Sequence, residues 1–198
     1  MMAVLVMPLL IFYKKEESLI YINSLNGPVA DVIMYHITRL PEITYIIFVV
    51  FLGVFTQRRY FLAIVTALII CGLVIVVSKQ FLFADALRPF SWLNENNVKF
   101  HHVDRVTLHS TGSFPSGHTL AAFCSLALVG FISSVGFVQF LLFLLAALTG
   151  YSRVYLAQHY LIDIYVGGLL GFTIAFIFFT LIERKFTTPY WQKPLLKI

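Results

Sequence analysis

Two histidines and one aspartate lie in short motifs whose residue types suit acid–base and nucleophilic chemistry. His118 ends the sequence Pro-Ser-Gly-His of residues 115–118, which leads directly into an apolar run. His159 precedes Asp163 by four residues, a spacing that places two side chains on one face of a helix. An aspartate that accepts from one imidazole nitrogen fixes the tautomer and leaves the other nitrogen as a nucleophile. We predict that His159 attacks, that Asp163 orients it and that His118 protonates a leaving group.

Basic side chains near these motifs predict that the reacting group is a phosphate. Arg153 follows a serine, Arg88 precedes a proline, and Lys79 lies just past an apolar run. Arginine makes bidentate contacts with phosphate oxygens, and lysine supplies a compact positive charge. A helix that starts near Ser116 and Gly117 adds free backbone N–H groups, which favour an anion. These five residues form the predicted phosphate-binding site.

The composition is typical of an integral membrane protein. The chain has 198 residues, of which 60% are hydrophobic and 12% charged, whereas a soluble domain averages about 25% charged residues. The length predicts a single membrane-embedded domain over residues 1–198, with a motif core at 79–163. The net charge of +5 comes from basic residues scattered between apolar runs. This distribution argues against nucleic acid as a partner and favours membrane lipids.

The apolar runs predict an all-α, polytopic transmembrane helical bundle with five to six spans. A run at residues 1–13 is short for a hydrocarbon core of about 30 Å, and we interpret it as a short first membrane helix or an interfacial anchor. A short interfacial helix is predicted around residues 31–40. Gly167 and Gly171 would let a neighbouring helix pack closely. The five clear runs are residues 43–56, 60–77, 119–132, 135–151 and 161–182.

The topology predicts that all the motifs meet at one membrane face. The long extramembrane loop 79–117 and the turn 153–160 are separated by two spans, so a helical hairpin returns the chain to the same side. With six spans, Arg58 and Arg59 lie on the opposite face together with both termini and the basic tail. The positive-inside rule makes that opposite face cytoplasmic. We therefore predict an active site on the outer face of the membrane. The compact chain and short tail are typical of a bacterial protein, so this face would be the periplasmic face of the cytoplasmic membrane.

Several polar or reactive residues are assigned no chemistry. Cys71 and Cys124 lie inside apolar runs and are interpreted as small hydrophobic residues. Asp31 and Arg39 are interpreted as surface residues of a short helix. The long loop holds four possible metal ligands: His101, His102, Asp104 and His109. Their spacing fits no common metal motif, so we predict no metal and no cofactor, and expect these residues to shape the loop or contact a polar head group.

The motifs resemble the type 2 phosphatidic acid phosphatases, a family that shares its site with vanadium haloperoxidases. The family pattern is a lysine and an Arg-Pro pair, then Pro-Ser-Gly-His, then Ser-Arg, five residues, His, three residues and Asp. The second part matches residues 115–118. The third part matches, spacing included, at Ser152, Arg153, His159 and Asp163. The resemblance therefore covers the chain from about residue 60 to the last apolar run.

One departure from the family pattern concerns the lysine. The family has six residues between its lysine and arginine, whereas eight separate Lys79 from Arg88, and Phe81 stands at the usual distance. We interpret the extra length, which includes Asp85, as a loop bulge that still lets the lysine reach the phosphate. The alternative for Lys79 is an anchor that extends to the membrane interface. The alternative for the third motif is an interfacial salt bridge.

The resemblance implies a membrane lipid phosphatase. It would hydrolyse a lipid phosphomonoester or diphosphate through a phosphohistidine intermediate, without a metal. The alternatives are a lipid or sugar phosphotransferase with the same intermediate, a vanadium haloperoxidase, and a non-enzymatic lipid-binding or transport protein. The expected substrate is a cell-envelope lipid, and undecaprenyl diphosphate, phosphatidylglycerol phosphate, phosphatidic acid and the phosphates of lipid A all suit the resemblance.

Overall fold

The computed structural model describes residues 13–196, apart from the side chains of residues 43 and 44. Within this range the chain forms eight α-helices and no strand. A π-helical turn, Ser78–Leu82, continues the fourth helix. The predicted first membrane helix lies outside the described residues except for Tyr13. The helices are α1 (Lys15–Ser24), α2 (Pro28–Thr38), α3 (Ile43–Val54), α4 (Arg58–Val77), α5 (Pro89–Glu95), α6 (Gly117–Ile132), α7 (Gly136–Tyr155) and α8 (Leu161–Lys185).

Three of these helices are long and apolar enough to cross a membrane. They are α4 with its π-helical turn, α7 and α8. The helix α6 and residues Tyr45–Val54 of α3 are shorter apolar helices. These five elements coincide with the five apolar runs of the sequence, which confirms the predicted all-α membrane bundle.

The centre of the bundle is α6, which packs against α8 and also against α7 and α4. Small residues on α8 permit the closest of these contacts. A Cβ atom at Gly167 would lie 2.7 Å from the carbonyl oxygen of Ser116, and one at Gly171 would overlap the carbonyl oxygen of Leu120. The predicted role of both glycines in close helix packing is therefore confirmed. Side chains larger than hydrogen would force α6 and α8 apart.

The predicted assignment of the two cysteines is confirmed, since both are free and buried. Cys71 of α4 and Cys124 of α6 belong to one apolar core cluster. The Cys124 thiol lies 3.9 Å from the carbonyl oxygen of Ala67, within reach of a weak hydrogen bond. They therefore act as small hydrophobic residues in the contact between α4 and α6.

The polar segments are more helical than the sequence predicts. The helix α1 was not predicted because its apolar residues do not recur at helical spacing, and only Leu19 and Asn23 are buried. The predicted loop 79–117 begins later, because Lys79 belongs to the π-helical turn. The same loop contains α5, which starts at Pro89, a residue pre-set for the first helical turn.

The turn between α7 and α8 also differs from its predicted limits. Arg153 lies in the last turn of α7 and not in the connection. Tyr160 is the residue before α8, so His159 precedes the helix that contains Asp163. The prediction that both side chains lie on one helix is therefore wrong. The two residues still meet, through the capping contact described below.

The basic tail packs against the start of α4, at the end of α4 away from Lys79. The N–H of Arg58 donates to the carbonyl oxygen of Lys193 at 2.9 Å, and the N–H of Arg59 donates to that of Trp191 at 3.2 Å. The Arg58 guanidinium lies 4.1 Å from the ring centroid of Tyr190. The basic residues of α4 and the tail are thus together, as the topology predicts.

The close packing of α6 and α8 predicts that two glycine-to-alanine substitutions affect the stability of the bundle differently. Gly171→Ala should lower the stability of the bundle by about 1–3 kcal/mol, because the methyl group would force the α6 backbone away. Gly72→Ala is the matched control, since a methyl group at that helical position would meet nothing within 4 Å. It should be neutral or stabilise by up to about 1 kcal/mol through helix propensity. Thermal unfolding in detergent compares the two, and equal midpoints would contradict this account of the packing.

Candidate active site

The first turns of α6 and α8 are tied together directly. The N–H of Ser116 donates to the carbonyl oxygen of Asp163 at 3.0 Å. The Ser116 hydroxyl oxygen accepts from the N–H of Thr119 at 3.4 Å and from its hydroxyl at 2.9 Å, and so caps α6. The predicted N–H donor of Ser116 is therefore already used. The N–H groups of Gly117 and His118, at the first two positions of the helix, have no intrahelical acceptor and remain suited to an anion.

The carboxylate of Asp163 gathers three donors on one oxygen. Its Oδ2 accepts from the hydroxyl of Ser113 at 2.5 Å and from the N–H of Tyr160 at 3.0 Å. The Nδ1 atom of His159 lies 3.3 Å from the same oxygen. An ionised carboxylate is only an acceptor, so Nδ1 carries the proton and Nε2 keeps its lone pair. Asp163 thus caps α8 and orients the imidazole at the same time.

The His159 ring is buried and electrically neutral. It is 1% exposed. Burial, followed by the positive charges of Arg153 and Arg88, lowers the pKa of His159 well below its usual value. Ala157, two residues earlier, has a left-handed backbone with a φ of 53° and ends the helical path of α7. This local strain turns the chain so that His159 meets Asp163.

Lys79 and Arg88 converge on one carbonyl group. The Nζ atom of Lys79 donates to the carbonyl oxygen of Gly112 at 2.9 Å, and Nη2 of Arg88 lies 3.4 Å from it. The Cε atom of Lys79 would be 3.5 Å from a Cβ atom at Gly117, so the lysine passes close to the start of α6. The eight-residue gap therefore does not keep Lys79 away from Arg88. The π-helical turn that holds Lys79 is a feature often found at functional sites.

Neutral oxygen atoms also hold the guanidinium of Arg88. Its Nε donates to the carbonyl oxygen of Thr111 at 2.9 Å. Its Nη1 lies 3.4 Å from the carbonyl oxygen and 3.3 Å from the side-chain oxygen of Gln158. Burial lowers the pKa of Arg88, and the charge of Asp163 only partly offsets this effect. The arginine stays charged, and no carboxylate within residues 13–196 forms an ion pair with it.

Arg153 is held in the same way. Its Nη1 donates to the hydroxyl of Thr38 at 2.7 Å, and its Nη2 lies 3.3 Å from the side-chain oxygen of Gln158. Its buried Nε has no acceptor in the described part of the chain. The alternative of an interfacial salt bridge is not what the geometry shows for Arg153, because the oxygen atoms around it are uncharged. Its positive charge is available to an anion.

The two remaining histidines near this group differ in burial. His118 is the second residue of α6, is half-buried and lies within electrostatic range of Arg153 and His159. His109 is exposed on the loop, and its pKa is lowered by partial burial and by the charges of Arg88 and Arg153. The structure thus brings together all the predicted site residues: Lys79, Arg88, Ser116, Gly117, His118, Arg153, His159 and Asp163.

Asp31 is partly exposed, as expected near the surface, but it also joins a polar cluster that the sequence does not predict. Its Oδ1 accepts from the hydroxyl of Tyr155 at 2.6 Å, and its Oδ2 lies 2.9 Å from Nε2 of His101. Burial alone would raise the pKa of Asp31, but the hydrogen bonds from Tyr155 and His101 outweigh it and leave the pKa below its usual value. The Asn23 side chain donates to the carbonyl oxygens of His101 and Tyr155. This cluster fastens the loop to α1, α2 and α7.

Of the four possible metal ligands predicted in the loop, His101 joins this polar cluster and His102, Asp104 and His109 do not. Among the described residues, no group of three or more His, Cys, Asp or Glu is placed to hold a metal ion. Nε2 of His102 lies 2.9 Å from the carbonyl oxygen of Val106, within the loop itself. Arg39, by contrast, is exposed and pairs with Glu42, as predicted for a surface residue.

Sequence reasoning missed Gln158 and Thr38. Gln158 contacts both arginines, and its position beside His159 was the one available indication. Thr38 lies in α2, more than a hundred residues from Arg153, and no spacing rule connects them. Side chains of this kind are found only when the fold is known.

Comparison with known proteins shows the family and the fold of the chain. The family model of the PAP2 superfamily matches residues 59–187. A protein of Haemophilus influenzae named phosphatidylglycerophosphatase B is 38% identical over an alignment of 117 positions, and the match covers 55% of this chain and 44% of that protein. The chain therefore aligns with somewhat less than half the length of this relative.

Two crystal structures share the fold. LpxE of Aquifex aeolicus is 24% identical with a TM-score of 0.70, and the match covers 83% of this chain and 93% of LpxE. A transmembrane PAP2-type phosphatidylglycerolphosphate phosphatase of Bacillus subtilis is also 24% identical, with a TM-score of 0.69 and coverage of 87% and 86%. The composition of the chain and its apolar helices, three of them long enough to cross a membrane, identify it as an integral membrane protein.

The buried neutral His159 predicts a specific pH dependence of stability. The unfolded chain binds a proton on His159 near pH 6.5, whereas the folded chain does not, so stability is present above that pH and is lost as pH falls. His159 should account for a loss of up to about 1.4 kcal/mol for each pH unit below about 6.5. Thermal unfolding of His159→Gln between pH 7.5 and 5.5 should therefore show a flatter dependence than the wild type.

The matched control is His36→Gln, which replaces an exposed histidine of α2. It should keep the wild-type slope of unfolding midpoint against pH. Equal slopes for wild type and His159→Gln would contradict the assignment of a neutral buried ring.

Proposed function

The chain belongs to the PAP2 superfamily, and from this premise we propose that it is a membrane lipid phosphatase that hydrolyses a lipid phosphomonoester or diphosphate. One observation carries the proposal. A neutral imidazole, that of His159, is oriented by Asp163 beside three buried or half-buried cations whose hydrogen-bond partners are neutral oxygens. Those cations are Lys79, Arg88 and Arg153. Such a site is ready for an anion that a nucleophile then attacks.

The reaction would proceed in two displacements. In the first, Nε2 of His159 attacks phosphorus, an N–P bond forms, and the bond from phosphorus to the leaving oxygen breaks. His118 gives its proton to that oxygen, and the leaving group departs as the free lipid alcohol from a phosphomonoester or as the lipid monophosphate from a diphosphate. In the second, His118 takes a proton from water, the water oxygen attacks phosphorus, and the N–P bond breaks. Inorganic phosphate is released and both histidines return to their starting states.

Electrostatic stabilisation would come from the protein alone. The phosphoryl oxygens gain negative charge in the transition state, and Arg88, Arg153 and Lys79 surround the place where that charge develops. A bound phosphate also offsets the positive charges around His118 and so stabilises its protonated form. We therefore propose that the reaction needs no metal, because these cations supply the charge that a metal would.

The surroundings of the site support a lipid as the substrate. The segment between Lys79 and Arg88 exposes a group of large apolar side chains at the end of a membrane helix: Phe81, Leu82, Phe83 and Leu87. An acyl or prenyl chain that stays in the bilayer would contact such residues while its phosphate enters the site. The name of the Haemophilus influenzae relative makes a phosphatidylglycerol phosphate the first substrate to test. The phosphates of lipid A and undecaprenyl diphosphate are the next.

The distribution of charge supports a site on the periplasmic face. The uncompensated cations of the site lie at one end of the bundle, where the proposed chemistry retains them. Arg58, Arg59 and the basic tail lie at the other end of α4. The positive-inside rule assigns that second end to the cytoplasm. We therefore place the proposed reaction at the outer surface of a bacterial cytoplasmic membrane.

The proposed function predicts metal-independent release of phosphate. Purified protein should liberate inorganic phosphate from a panel of lipid phosphates in the presence of EDTA. His159→Ala and His118→Ala should each lower kcat/KM by about a thousandfold or more, because each removes a reacting group. The matched control His36→Ala, on the exposed face of α2, should retain wild-type turnover.

Two outcomes would contradict this proposal. Retained turnover in both His159→Ala and His118→Ala would exclude the histidine mechanism. Transfer of radiolabelled phosphate to a second lipid or a sugar, without release to water, would identify a phosphotransferase with the same site.

A further inference from the structure

Gln158 lies between the two arginines of the site. Its side-chain Oε1 is 3.3 Å from Nη1 of Arg88 and 3.3 Å from Nη2 of Arg153. Its backbone carbonyl oxygen is a further 3.4 Å contact of Arg88. Gln158 is 2% exposed. One buried amide oxygen is therefore shared by two guanidinium groups.

The chemistry of the groups fixes the orientation of the amide. Guanidinium groups only donate, so the oxygen of Gln158 and not its nitrogen must face Arg88 and Arg153. Two positive charges near one atom repel each other, and the partial negative charge of the amide oxygen reduces that repulsion. No carboxylate forms an ion pair with either arginine among the described residues. The amide dipole is thus what joins the two cations.

We propose that Gln158 is a positioning residue that holds Arg88 and Arg153 together as one phosphate clamp, an inference that rests on the proposed function. The proposal requires that the side chain at position 158 is uncharged. A carboxylate at this position would bind the two arginines more strongly, but it would also cancel positive charge that the substrate needs. An amide holds the cations in place and leaves their charge for the phosphate.

The second polar atom of Gln158 supports the same inference. Its Nε2 is buried and has no hydrogen-bond acceptor within residues 13–196. A buried donor without a partner is costly unless a ligand satisfies it. Nε2 is bonded to the same carbon as the oxygen that contacts the guanidinium groups, so it lies at the edge of the clamp. An oxygen of the bound phosphate would give it an acceptor.

The test separates positioning from packing with two substitutions and a phosphate analogue that binds without turnover. Orthovanadate has the shape and charge of phosphate and binds without being hydrolysed. Its affinity is measured from the rise in unfolding temperature with vanadate concentration, and kcat and KM for phosphate release are measured in parallel. Gln158→Glu keeps the hydrogen bonds to both arginines and adds a negative charge. Gln158→Met keeps the approximate shape and removes the hydrogen bonds.

Gln158→Glu should unfold at or above the wild-type temperature without vanadate, yet bind vanadate at least about tenfold more weakly. Gln158→Met should also bind vanadate about tenfold more weakly and lower kcat/KM by a similar factor, because the two guanidinium groups are no longer held together. The matched control is Gln192→Glu, which adds the same charge on the exposed tail. It should match the wild type in every measurement.

The inference is overturned if the vanadate affinity of either substituted protein is within threefold of the wild-type affinity. This holds also when the unfolding temperature falls, because a lower stability with unchanged affinity indicates a packing role only. If Gln158→Glu does not fold, Gln158→Met decides the question alone. If the wild type releases phosphate and the Gln158 variants bind vanadate as the wild type does, this inference is wrong and the proposed function stands. A wild-type protein that binds vanadate without releasing phosphate would sink the proposed function, and the variants would still test the clamp. Absence of vanadate binding in the wild type would overturn both.

Discussion

The site depends on the close approach of α6 and α8. One backbone hydrogen bond joins their first turns, from the N–H of Ser116 to the carbonyl oxygen of Asp163. The approach is possible because Gly167 and Gly171 present no side chain to α6. It brings the free N–H groups at the start of α6 next to the carboxylate that orients His159. The packing of two membrane helices thus sets the geometry of a polar site at their ends.

A second constraint is electrostatic, since buried cations are costly without partners. These cations donate hydrogen bonds to neutral oxygens: the backbone carbonyl oxygens of Thr111 and Gly112, the hydroxyl oxygen of Thr38 and the amide oxygen of Gln158. These dipoles stabilise the positive groups without cancelling their charge. Burial, together with these same charges, holds His159 in its neutral form. One arrangement therefore prepares both the anion site and the nucleophile.

Much of this organisation can be predicted from the sequence. The membrane limits the fold to apolar helices, and the motifs are recognised by the fixed number of residues between their members. The apolar runs predict the five apolar helices, and the motif positions predict which residues share one end of the bundle. Long-range polar contacts cannot be predicted in this way. Asp31 meets His101 seventy residues away, and Thr38 meets Arg153 over a still longer separation. Such contacts follow from how α1 and α2 pack against the rest of the chain, and no local spacing in the sequence specifies that packing.

The central claim is that His159 is a neutral nucleophile in a cationic site. The most direct measurement is to mix the protein with a lipid substrate labelled in its phosphate, quench within the first turnover in alkali, and locate the label by mass spectrometry of peptides. The account predicts a phosphoryl group on His159 and none in His159→Ala. A label on another residue, or turnover of the substrate with no labelled protein at any time, would contradict it.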